Sequence, residues 1–255
     1  MAIFVYLSDN ISAEVVPGYH LRTRPEWIFD LNSILISHET PLDQEQYIGH
    51  TIGSTDWFWN GFDELRFNLH NFLLDSVRFN GPEVTIDTDD WLNLWQAAPQ
   101  IIGNLRLVTL QEFGLERFDV RWLHPKASLF AFLRNIALEE TQDRFRLCIA
   151  QDVDLLFSGQ RFCGCLLHYP VRYLTDAEGT QVADGEEDQE LVAALHEYIS
   201  LMVVEPTVDR MLEKDSGTLR AIQDLVNRLP EDRGSASGRK IVRKALEDVV
   251  DTFYS

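Results

Sequence analysis

The stretch Glu83-Val84-Thr85-Ile86-Asp87-Thr88-Asp89-Asp90 places an acidic triplet directly after a strand-like run. Carboxylates two residues apart at a strand end can converge on one divalent cation, so Asp87 and Asp89 have the spacing of a Mg²⁺ or Mn²⁺ site in a transferase or phosphoryl-transfer enzyme. The same residues have a simpler use. With Thr88 as N-cap, Asp89 and Asp90 put negative charge in the first turn of a helix, where the helix dipole favours it without any metal. No glycine-rich phosphate loop accompanies the triplet, which favours the cap over the metal.

The second group with chemical potential is Asp56-Trp57-Phe58-Trp59-Asn60-Gly61-Phe62, the most aromatic segment of the chain. In an extended segment Trp57 and Trp59 share a face, either inside a core or outside as a pair of rings that could anchor a partner. The surrounding charge is one-sided. Between Arg24 and Arg66 there is no lysine or arginine, whereas Glu26, Asp30, Glu39, Asp43, Glu45, Asp56, Asp63 and Glu64 all fall there. Aromatic rings among charges of one sign are what a surface facing a basic partner requires.

Other catalytic patterns are missing. Cys163-Gly164-Cys165 with His168 lacks the C-x₂-C spacing of zinc sites, and as strand residues the two cysteines are expected on one face as small buried groups. No two of the seven histidines stand four residues apart, and the nearest match to G-x-S-x-G, Gly234-Ser235-Ala236-Ser237-Gly238, has alanine at its centre. No cofactor is implied. Arg239, Lys240, Arg243 and Lys244 form a basic cluster. Pairing of Arg243 with Glu247 and Lys244 with Asp248 accounts for it without a phosphate.

With 41 acidic and 22 basic residues among 255, the net charge is −19, which repels nucleic-acid backbones and argues against direct nucleic-acid binding. Only four of the cations are lysines. No positive charge precedes the apolar run at Ile3–Leu7, so no signal peptide is expected, and Trp91 to Leu105 is too polar to span a bilayer. Three cysteines, an odd number, fit free thiols in a reducing cytosol.

The elements that must position these groups change character along the chain. Residues 1–174 read as a mixed α/β domain, 175–190 as an acidic loop or linker, and 191–255 as a helical C-terminal subdomain. Strands are expected at Ile3–Leu7, Trp27–Ile36, Glu83–Ile86, Leu105–Leu110, Arg117–Leu123, Arg146–Ala150 and Arg161–Tyr173. Several alternate apolar with polar residues, which implies antiparallel or mixed pairing with one wet face. Helices are expected at Phe62–Leu74, Asp89–Ala98 and Pro125–Leu138, then at Gln189–Val204, Thr218–Leu229 and Arg239–Tyr254. The fold class is therefore α+β.

Taken together, these features point to a non-catalytic cytosolic binding protein that engages a basic protein partner, of the inhibitor, antitoxin or immunity type. Glu39, Asp43, Glu45, Asp56, Trp57 and Trp59 are its expected contacts. The alternative is a metal-dependent enzyme using Asp87 and Asp89.

Overall fold

The computed structural model describes residues 2–37, 44–54, 63–82, 84–86, 88–126, 128–139, 143–176, 182, 188–202, 205–230 and 236–254. Strand formation begins where the alternation is clearest. In β1 (Ile3–Ser8) and β2 (Ile11–Pro17), Val5, Leu7, Ile11, Ala13 and Val15 turn inward while Phe4 and Tyr6 stay exposed. The remaining strands are β3 (Glu26–Ile28), β4 (Ser33–Ile36), β5 (Thr51–Gly53), β6 (Glu64–Asn68), β7 (Leu74–Asn80), β8 (Gln100–Leu107), β9 (Val120–Leu123), β10 (Leu129–Leu133), β11 (Arg144–Ala150), β12 (Val153–Ser158), β13 (Arg161–His168) and β14 (Leu174–Thr175).

They form two mixed sheets. The larger runs β1-β2-β8-β11-β12-β13-β10-β9, and a parallel bridge between Tyr6 and Arg161 joins β1 back to β13, closing six strands on themselves. The smaller runs β14-β3-β4-β7-β6-β5. Their inner faces share one apolar cluster holding Trp27, Phe67, Phe79, Phe130 and Phe157.

Helices lie mostly in the later part of this α+β chain: α1 (Gln44–His50), α2 (Asp90–Gln96), α3 (Gln189–Met202), α4 (Glu205–Leu212), α5 (Ser216–Arg228) and α6 (Ala236–Tyr254). The three long C-terminal helices stand where their apolar stripes predict, and Leu195, Ile222, Leu225 and Leu246 join the same cluster as the sheets. The start of α3 is tied to α6. Asp188 caps the Leu191 N–H and pairs through both oxygens with Arg239, at 2.6 and 2.8 Å. Arg243 bonds Glu247 at 2.8 Å, the i,i+4 pair read from the sequence. Among the described residues no helix is long and apolar enough to cross a membrane, which says nothing of a β-barrel.

Several expected elements are corrected. Phe62–Leu74 is not a helix: its described part contains β6 and a turn at Phe72, whose φ is +59°, leading into β7. Leu65 and Phe67 obey the strand period, and Arg66 points the other way into a buried nest of Thr51, Ser54 and Glu112. Pro125–Leu138 holds β10 instead of a helix. Its five residues are all buried, because Phe130 and Phe132 face the main core while Leu129, Ala131 and Leu133 face Trp91 and Trp95 of α2. A strand covered on both sides shows no alternation, and the same holds for β12, which the sequence reading omitted. Trp27–Ile36 is a hairpin of β3 and β4 turning at Asn32, and Arg161–Tyr173 is β13 followed by a 3₁₀ turn at Pro170–Tyr173.

The two cysteines of β13 do not share a face. Pairing with β12 slips between Leu156 and Phe157, so Cys165 lies in the main core and Cys163 in the cluster under α2. Gly164 sits at this bulge, where a Cβ would come within 2.8 Å of the Phe132 carbonyl oxygen. All three thiols are free, and burial pushes Cys148 up to about 11 and Cys163 up to about 12, so neither is a thiolate at neutral pH.

Candidate functional site

Most of the sequence-derived contacts lie outside the described residues: Glu39, Asp43, Asp56, Trp57 and Trp59, together with Asp87 of the metal alternative. Glu45 is in α1, its side chain likewise outside the description. Asp89 is the residue before α2, and its side chain makes no cap. Thr88 stands one position earlier than a cap would, its hydroxyl accepting from the Asp90 N–H at 3.4 Å and donating to the Asp90 carboxylate at 3.2 Å. Among the described residues no group of three or more His, Cys, Asp or Glu side chains is placed to hold a metal ion.

The described end of the acidic and aromatic stretch is Asp63, which is 3% exposed. One carboxylate oxygen accepts from the Asn80 N–H at 2.8 Å, while the other, buried, has no partner. Burial raises its proton affinity until it titrates at about 7, against the opposing pull of Arg134 and Arg117.

Arg134 links Asp63 to a cleft of about 650 Å³. This cleft opens where β1 and β10, which share one edge of β13, end facing each other. The Arg134 guanidinium fills the gap in the ladder, donating to the Phe162 carbonyl at 2.8 Å and the Glu116 carbonyl at 2.6 Å, and lying over the Phe162 ring. Arg117 and Arg161 line the cleft with Asp9, Glu116 and Asp119, so its lining is charge-balanced. Tyr6 stands at the mouth. It and Phe4, 45% and 46% exposed on the outer side of β1, are an aromatic pair at strand spacing that the sequence reading noted only as part of a strand.

A second cleft, of about 210 Å³, lies between α2 and the outer face of the larger sheet. Strand pairing puts His124, Leu129 and His168 in one row across this face: the His124 N–H bonds the Leu129 carbonyl, and Leu129 is the register partner of His168. Nδ1 of His124 accepts from the Lys126 N–H at 3.2 Å, so the ring proton is on Nε2 and the Ser128 hydroxyl, at 2.9 Å, donates to the same Nδ1. Burial and Lys126 lower the pKa of His124, keeping it neutral.

His168 is oriented from behind. Asp154, 1% exposed, receives Gln100 at 2.8 Å, Arg146 at 2.9 Å and His168 Nε2 at 3.0 Å. These donors hold its carboxyl below the usual range despite burial, so it is ionised and His168 donates Nε2–H to it, which turns Nδ1 outward. Tyr169 closes the end of the cleft with φ +52°, a left-handed conformation that costs a bulky residue of order 1–3 kcal/mol and is held by its N–H bond to the Ser128 carbonyl and its ring contact with Arg172.

None of this was legible as a motif: His124, Arg146, Asp154 and His168 are brought together by four strands, and only the pairing order reveals them. Compared with known proteins, the chain matches no family model, no curated protein and no solved structure.

Proposed function

We propose that this chain is a non-catalytic cytosolic protein that binds a basic protein partner through an acidic surface with aromatic anchors, as an inhibitor, antitoxin or immunity-type protein does. The observation that carries the reading is the exposed pair Phe4 and Tyr6 on a strand without charge, beside a cleft whose lining sets Asp9, Glu116 and Asp119 against Arg117, Arg134 and Arg161, in a chain of net charge −19. An uncharged aromatic centre with a charged rim suits a protein interface. The sign of the chain selects the partner. Among the described residues burial withdraws Arg66, Arg121, Arg134 and Arg239 from the surface but only Asp63, Asp154 and Asp188, so the carboxylate excess faces outward. Glu39, Asp43, Glu45, Asp56, Trp57 and Trp59 supply the remaining contacts in this reading, and three unpaired thiols suit a reducing compartment.

The test is capture from lysate with the wild type and two variants, one carrying Glu39→Gln, Asp43→Asn, Glu45→Gln and Asp56→Asn, the other Phe4→Ser and Tyr6→Ser. A protein of net positive charge held by the wild type and reduced by about tenfold or more in each variant is the expected result. A captured protein that is acidic, or that both variants retain in full, overturns the proposal.

A further inference from the structure

From the row of imidazoles under α2 we infer that the cleft holding His124, His168 and Arg146 is a binding site for a small organic anion, a carboxylate or phosphate monoester carried on an apolar or aromatic body. The inference is independent of the partner reading and concerns the opposite side of the strands from the main core.

Charge is the first argument. In a chain of 41 carboxylates, this cleft is lined by two histidines, an arginine, Ser128, Gln96 and Tyr169, with no aspartate or glutamate in its lining among the described residues. The nearby Asp154 is buried and already met by Arg146, and Asp152 accepts the Tyr173 hydroxyl at 2.6 Å. Among the described residues Asp89, on the side of His124, is the acidic group whose field reaches that ring, and Lys126 opposes it.

Unused donors are the second argument. Arg146 gives Nη1 to Asp154, whereas its Nε is buried without a partner and its Nη2 bonds nothing among the described residues. His124 has Nε2–H to give, because Ser128 and Lys126 occupy its Nδ1. His168 lines the same cleft, its Nε2 engaged by Asp154 at 3.0 Å. Two strand spacings, about 10 Å, separate the backbones of His124 and His168, and both side chains line the same cleft. A guanidinium and imidazoles arranged in this way give charge-assisted hydrogen bonds to a carboxylate or phosphate.

The walls supply the third argument. Leu92 and Trp95 of α2 form an apolar side across from the sheet, and Leu129 and Leu166 add apolar surface among the donors, suited to a hydrocarbon or ring attached to the anion. The left-handed Tyr169 is strained at the rim of this cleft, as residues around binding sites often are.

The full chain should be titrated with phenyl phosphate, benzoate and the neutral control benzyl alcohol, following the ring signals of His124 and His168 by NMR and the heat by calorimetry. At least one anion is expected to saturate and move both ring signals while benzyl alcohol does not, and the stronger of the two identifies the head group. Arg146→Lys, which can still pair with Asp154, should weaken binding by about tenfold, and His124→Gln, at a half-buried position, should do so in a chain shown by its melting temperature to remain folded. The inference is overturned if neither anion moves the rings, if benzyl alcohol binds equally well, or if both variants bind as the wild type does.

Discussion

Asp63 and Asp154 are both buried, 3% and 1% exposed, yet their surroundings drive them in opposite directions. Asp154 has three side-chain donors and stays ionised below the normal carboxylate range. Asp63 has one backbone donor and an oxygen without a partner, and burial raises it to about 7. Depth alone does not set a buried carboxyl's cost; the number of donors aimed at it does. Asp154 belongs to a built polar cluster facing the small cleft, whereas Asp63 sits beside the large one at the end of the acidic and aromatic stretch.

Breaking the satisfied site should have the largest effect. Asp154→Ala leaves Arg146 without its counter-ion and His168 and Gln100 without an acceptor, and should lower unfolding stability by about 3–5 kcal/mol in urea titration at neutral pH. The wild-type contribution of Asp154 is present above its unfolded pKa and is lost as pH falls through its lower folded value, so the variant's deficit should shrink below about pH 4.

Asp63 predicts the reverse sign in another window. Its folded pKa of about 7 lies above the ordinary 3.8, so it costs nothing in acid and its penalty grows as pH rises from about 4 to about 7. Asp63→Asn keeps an acceptor for the Asn80 N–H and removes the charge. It should be near neutral at pH 4 and stabilising by up to about 4 kcal/mol at pH 8, measured by denaturation at both values. A variant no more stable than wild type at pH 8 would refute the contrast.

The smallest effect belongs to an exposed pair. Arg243→Ala removes the contact with Glu247, both side chains well solvated, and should cost less than about 0.5 kcal/mol, a shift of the melting temperature near the limit of detection.

The same contrast between covered and half-wet elements explains what the sequence disclosed. α3, α5 and α6 keep one face in water, so Leu191, Leu195 and Ile199, or Ile222 and Leu225, recur at helical spacing and the elements are legible. β1 is legible through Val5 and Leu7 against Phe4 and Tyr6. β10 and β12 are not, since both faces of each are buried, with Asp154 of β12 held in its polar cluster, and burial on both sides removes the period that distinguishes strand from helix. Local patterning singled out the acidic and aromatic stretch, most of which lies outside the described residues, whereas His124 and His168 were scattered letters until β9, β10 and β13 were paired. Arg134 and Asp63 likewise have no sequence motif.

The central claim is that the acidic surface binds a basic protein. The most direct measurement is the dissociation constant of the purified chain and its captured partner between about 50 mM and about 500 mM salt, where the Debye length falls from roughly 14 Å to roughly 4 Å. The account predicts a steady loss of affinity of tenfold or more across that range, mostly through slower association. An affinity that does not change with salt would contradict it.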